Sequence, residues 1–386
     1  MKKIFSYALM FVAGAAAMMN FTACSSDDNS SSTTNGVDLQ QKEILGNYVS
    51  RVIVPTYRSL ADAAIVLAND CKDLSTQAKV DKACSDWKEA RRQWELSEAF
   101  LFGAAADYSI DPHIDSWPLD LTQLNEVLTT GNIADRIEKG TAGYGLLGFH
   151  AVEYVIFKEG STGDAANRNR EASSISQAEA DFAEAVAEDM MVQCVRLEAA
   201  WAGVDNISSE KKAILEDAEL EPSLNYGNFI TTAGLEGNAK YKTQADAFEE
   251  IIVGASDIAN EVGNTKISDP MESGNWSDVE SPHSWNSVSD FADNIRSVRN
   301  AYYGSLDGTV AASSVSNYVA SKNKSVDAEI RTCIANAISA IEAMPKPFRN
   351  YIGEKSGDNY NRIQAAVKAC NELVDALDKA QEAIKK

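Results

Sequence analysis

Between Ser173 and Trp201 the apolar positions Ile175, Ala178, Phe182, Val186, Met190, Cys194, Leu197 and Trp201 recur every three or four residues, the spacing of one helix face. Val326, Ile330, Cys333, Ala337, Ile341 and Met344 repeat the pattern, as do Ile363, Val367, Cys370, Val374, Leu377 and Ile384. No run alternates with the period of a strand. With only 8 Pro and 22 Gly in 386 residues, long stretches lack helix breakers. The pattern predicts an all-α fold built from helical bundles. Helices are expected near 40–69, 80–104, 120–130, 134–139, 145–158, 173–203, 208–217, 239–264, 286–303, 309–322, 323–344 and 358–385. Ser287 with Asp290 reads as a capping box, Gly304 as a stop, and 159–170 as an exposed loop.

The N-terminus departs from this pattern. Residues 1–23 have a basic start at Lys2 and Lys3, then an apolar core, then small residues before Cys24. This predicts a cleaved signal peptide and not a spanning helix. A cysteine at the cut resembles a bacterial lipoprotein signal, with Cys24 lipidated. Residues 24–38 are polar and small, a flexible tether. Asp27 and Asp28 beside the lipid resemble the acidic signal that sends some Gram-negative lipoproteins to the outer face. The expected location is the cell envelope, anchored to the outer membrane on its periplasmic or surface side. The remaining chain exceeds what one core usually serves, so we expect two helical-bundle domains, 39–205 and 206–386.

Charge removes some functions. The net formal charge of −22 disfavours nucleic acid and anionic lipid headgroups, and favours solubility and cations. Five cysteines follow Cys24, none in a C-x-x-C pair. Cys333 and Cys370 lie at nearly equal distances from the connection near residue 351, which levels them in an antiparallel helix pair and predicts a disulfide. Cys71 and Cys84 flank a short polar turn and form a second possible bridge. Cys194, on an apolar stripe, would remain a free core thiol.

The candidate chemistry concentrates in a few segments. GFHAVEYVIF (148–157) places His150 and Glu153 three residues apart on one helix face, in a helix apolar almost all round and therefore buried. A buried glutamate is costly unless paired or coordinated. Gly148 and Gly145 would admit a ligand or another backbone close by. The pair resembles, in reverse, the Glu-x-x-His element of metal-carboxylate bundles. WELSEAFLFG (94–103), DPHIDSWPLD (111–120) and ESPHSWNSVSDFADNIRS (280–297) add acids, amides and the other two histidines, His113 and His283, beside aromatic residues. DPHIDSW and SPHSWNS also echo each other.

Taken in chain order, WELSEAFLFG, DPHIDSWPLD, GFHAVEYVIF and the segment at 281–295 resemble the imelysin family, bacterial exported proteins first described as metallopeptidases. The resemblance implies two helical domains and a G-x-H-x-x-E motif at Gly148, His150 and Glu153 near an interdomain groove. It also implies an association with iron acquisition. Glu98, Asp111, Asp115, Ser284, Asp290 and Asn294 match recurrent polar positions of the family and become groove candidates. A catalytic zinc would need a third ligand and an open position. HExxH is absent, H-x-x-E-H fails because residue 154 is Tyr, and no G-x-S-x-G occurs. The sequence therefore favours a binder of iron, haem or an iron carrier through His150 and Glu153, beside an envelope iron transporter. A zinc metallopeptidase and a protein-interaction scaffold are the alternatives.

Overall fold

The computed structural model describes residues 33–34, 37–159, 167–220, 222 and 224–385. The signal, Cys24 and the tether as far as residue 32 lie outside the described residues. Apart from a two-residue ladder, Thr33–Thr34 against Val37–Asp38, and an isolated bridge from Phe157 to Asn169, the described fold is helical. Residues Thr33–Lys386 form one compact unit, and one continuous apolar core draws on both halves. The groups 39–205 and 206–386 are therefore two sets of helices within that unit.

In the first set, helix Val54–Cys71 packs on Gln77–Glu95 and on Gln177–Ala202, and the short helix Gly148–Ile156 packs on the last two. In the second, Asp358–Ile384 lies against Lys324–Glu342 and Gln244–Glu261, with Ser287–Tyr303 beside both of the latter. The sets join where Ser287–Tyr303 meets Gln77–Glu95, and where the single turn Glu98–Phe100 meets Gln244–Glu261.

Local chemistry explains the ends. Ser176 and Glu179 form a capping box, and Gly203 at φ +87° stops the long helix. The helix expected over 80–104 ends at Glu95, and Gly103, at φ +72°, allows the chain to turn. That break carries Glu95 and Glu98 inward at a helix terminus. The helix expected over 239–264 passes at Val262 into a wider turn to Ile267; such π-type turns often sit at functional sites, and this one brings Lys266 into the interior. The expected box at Ser287 is not formed. Helix Ser287–Tyr303 has no side-chain cap bond; Ser287 Oγ donates instead to the Glu280 carbonyl (2.6 Å).

The predicted disulfides are corrected. Cys71, Cys84, Cys194, Cys333 and Cys370 are all free thiols. Equal distance from a turn fixes height along a helix pair but not rotation. Cys370 faces the wide turn, where a Cβ placed on Gly263 would come within 3.0 Å of the Cys370 Cβ, while Cys333 stays half-buried. Cys84 donates to the Ile156 carbonyl (3.2 Å).

Candidate functional site

Gly148 explains how the motif is placed. It opens its helix at φ +73°, and a Cβ there would lie 1.9 Å from the Ile114 carbonyl oxygen. Only glycine lets these backbones meet, and the contact seats the end of DPHID, hence Asp115, against His150. Gly145 plays a lesser part, accepting from Asp120 N (3.0 Å).

His150 and Glu153 are both buried and face each other, Nδ1 to Oε2 at 3.2 Å. The other oxygen of Glu153 accepts three bonds from one short segment: His283 N (3.0 Å), Ser284 N (2.7 Å) and Ser284 Oγ (2.7 Å). That segment is bent by two non-glycine residues in the left-handed region, Ser281 (φ 51°) and Trp285 (φ 62°), a strained arrangement that tends to mark functional sites. The second ring nitrogen, Nε2, lies 3.2 Å from Asp115 Oδ1. The approach is poorly directed, and Nε2 has no hydrogen-bond partner.

Beyond Asp115 lies a charged interior. Arg91, fully buried, contacts Asp115, Glu95 and Glu280, with Asp290 at 3.8 Å. Lys266 reaches Glu280 (3.0 Å), Trp94 Nε1 donates to Asp115 (2.7 Å), and Asn294 donates to Glu95. Among the described residues, the buried carboxyls Glu95, Glu98, Asp115, Glu153, Glu280 and Asp290 thus share the interior with the bases Arg91, Lys266 and His150, with His283 beside Glu153. The acids respond unequally. Burial raises Glu95, Glu98 and Asp290, the last to about 7, against the pull of the nearby cations. Burial also opposes ionisation of Asp115 and Glu153. Arg91 and His150 hold Asp115 well below the usual range, and the His150 bond with the His283 and Ser284 contacts brings Glu153 to about 2. Burial works against the charged imidazole, but the Asp115 carboxylate close to Nε2 and the bond from Nδ1 to Glu153 raise His150 to about 9.

These shifts give a pH dependence. His150 titrates higher in the folded state, so its stabilisation is complete below about 6.5 and is lost as pH rises through about 9. Asp290, raised to about 7, acts in the same direction. Glu153, lowered from 4.5 to about 2, stabilises above 4.5 and loses that contribution as pH falls. Urea unfolding should therefore show stability declining between pH 6.5 and 9, with a smaller decline in His150→Gln. An equal slope in the variant would contradict the assignment.

The structure gathers His150, Glu153, Asp115, Ser284, Asp290, Asn294 and Glu98 into one interior. Asp111 stands half-buried at its edge, raised to about 6 by burial and by Asp115. His113 is elsewhere, paired with Asp189 (2.6 Å). Arg91, Lys266 and Glu280 are members that the sequence reading did not single out. Arg91 could have been found, since it falls on the buried stripe Val80, Cys84, Trp87, Arg91, Trp94. Among the described residues, two triplets bring metal-ligating atoms within 4.8 Å of one another: Asp115, His150 and Glu280, and Glu95, Glu98 and Asp115. A cavity of about 40 Å³ touches His150 and Glu153, and Leu121, Trp276 and His283 border both it and an open depression of about 770 Å³.

The described fold is thus helical, with a buried constellation of acids, an imidazole, an arginine and a lysine where its two sets of helices meet. The chain belongs to the imelysin family (peptidase M75), which its residues 53–377 match. It is 26% identical over 318 residues to iron-regulated protein A of Synechococcus elongatus, covering 82% of this chain and 79% of that protein. The solved structure of a candidate iron-regulated protein A precursor from Parabacteroides distasonis ATCC 8503 matches with a TM-score of 0.76 at 27% identity, over 93% of this chain and 97% of that one. An imelysin-like protein from Psychrobacter arcticum 273-4, 12% identical, matches with a TM-score of 0.56 over 90% and 93% of the two chains, a likeness of fold alone. Among the described residues no helix is long and apolar enough to cross a membrane.

Proposed function

We infer that this protein serves iron uptake in the cell envelope, held to the outer membrane by lipid on Cys24, and binds an iron ion at His150. The observation that carries this reading is the state of the imidazole. Glu153 orients it through Nδ1, as an outer carboxylate orients a metal-bound histidine. Its Nε2 is buried without a hydrogen-bond partner and groups with Asp115 and Glu280. Glu280 Oε2 is likewise buried and unpartnered. One imidazole and two carboxylates suit first-row ions. Glu153, with Oε1 saturated by three donors, serves as the positioning carboxylate. The surplus of buried acids supplies negative charge that an entering cation would release from protons.

The adjoining cavity, about 40 Å³, suits an ion or a water. Haem is too large for it, which favours an iron ion over haem beside His150. The names of the two iron-regulated relatives support the physiological setting, with an envelope iron transporter as the recipient.

The test is anaerobic calorimetric titration with ferrous iron, with zinc and haem in parallel. Because His150 must lose its Nε2 proton, binding should release about one proton at pH 7 and tighten up to about tenfold per pH unit towards pH 9. His150→Ala and Asp115→Asn should abolish it. Absence of binding, or binding unchanged in both variants, would overturn the reading.

A further inference from the structure

The open depression of about 770 Å³ has a wall that the iron site does not use. Arg349 sits in the turn Phe348–Asn350 and is only 7% exposed. Among the described residues no carboxylate lies within ion-pair distance of it. Its NH1 donates to the Pro282 carbonyl (2.6 Å), and its Nε, sealed from solvent, has no hydrogen-bond partner. Burial pulls its pKa down, and the more distant Glu153 only partly offsets that. A buried cation without a counter-ion is costly, and in so acidic a protein a carboxylate partner would have been easy to supply. The wall around it is aromatic. Trp276, 42% exposed, lies over the guanidinium at 4.7 Å. His283 meets the Trp276 ring at 6.0 Å and the Tyr154 ring at 5.5 Å, both edge-on. Glu159, the acid of the lining, interacts with the Tyr154 hydroxyl and not with Arg349.

We propose that this depression binds a planar aromatic carboxylate, whose carboxylate neutralises Arg349 and whose ring packs on Trp276 and His283. The missing counter-ion defines the charge of the ligand. The exposed indole beside the buried cation supplies the flat apolar face. The inference deepens the iron-uptake reading, since an aromatic acid is a class of ligand able to carry a metal to the adjoining cavity. It does not require that reading, because the ligand is recognised without metal. His283 links the two, lining the depression with its ring and holding Glu153 with its backbone N–H.

The experiment is calorimetric titration of the whole metal-free protein with 2-naphthoate, and with 2-naphthylmethylammonium as a cation of the same shape. Naphthoate should bind saturably at one site, at least tenfold more tightly than the ammonium. Arg349→Met should weaken it by about tenfold to a hundredfold, as loss of a charge-assisted bond does. Trp276→Ala, at an exposed position that should not threaten folding, should weaken it by about threefold to tenfold. Melting curves check that both variants fold. If Arg349→Met unfolds, the selectivity of the wild type and the Trp276→Ala result decide. No saturation at millimolar naphthoate, equal affinity for the cation, or unchanged affinity in a folded Arg349→Met or in Trp276→Ala would overturn the proposal. Because neither probe contains metal, failure here leaves the iron titration standing, and failure of the iron titration leaves this one standing.

Discussion

Arg91→Met should destabilise the folded protein by about 3–5 kcal/mol, the cost of removing one partner from a buried ion network. Arg91 is fully buried and touches Asp115, Glu95 and Glu280. Methionine fills much of the same space, so the loss is electrostatic more than steric. The acids left behind can recover by taking up protons. The penalty should therefore be largest above neutral pH and shrink towards pH 5, a dependence that a packing defect would not show. Urea unfolding at several pH values measures it. A penalty below about 1 kcal/mol, or one constant with pH, would mean that the interior is wetter than its burial implies.

Gly148→Ala should cost on the order of 3 kcal/mol, combining left-handed strain with overpacking. The new methyl would meet the Ile114 carbonyl oxygen at 1.9 Å, and backbone cannot rotate away as a flexible side chain can. Relief requires the turn carrying Asp115 to move, so the variant should also bind ferrous iron more weakly than the wild type. Thermal melts and the same titration check both effects. A variant within about 0.5 kcal/mol of wild type would show that the two backbones separate easily.

Much of this arrangement was legible because it is local. The helical stripes fixed the fold class, and a separation of three residues was enough to face His150 towards Glu153. Gly148 was readable as a point of close approach, although only the structure shows that the approaching group is the Ile114 backbone. The network itself was not legible, because its contacts are remote in sequence. Arg91 and Glu280 meet across 189 residues, and no periodicity reports such a meeting. Lys266 was hidden differently, in a widened turn that shifts the face a regular helix would present. The cysteine pairing failed on rotation about a helix axis, which the register of Cys333 and Cys370 does not contain. Arg349 gave no signal at all, since a lone arginine after two prolines reads as an ordinary surface charge.

The central claim is that an iron ion sits against His150 Nε2, with Asp115 and Glu280 around it and Glu153 outside. The most direct measurement is diffraction at the iron absorption edge from crystals of the full chain soaked anaerobically with ferrous iron. The account predicts an anomalous peak within about 2–2.5 Å of His150 Nε2, the range of metal–nitrogen and metal–oxygen bonds, between the Asp115 and Glu280 carboxylates. A site filled on Glu153 with His150 uninvolved, or no peak under conditions where the protein binds iron in solution, would contradict it.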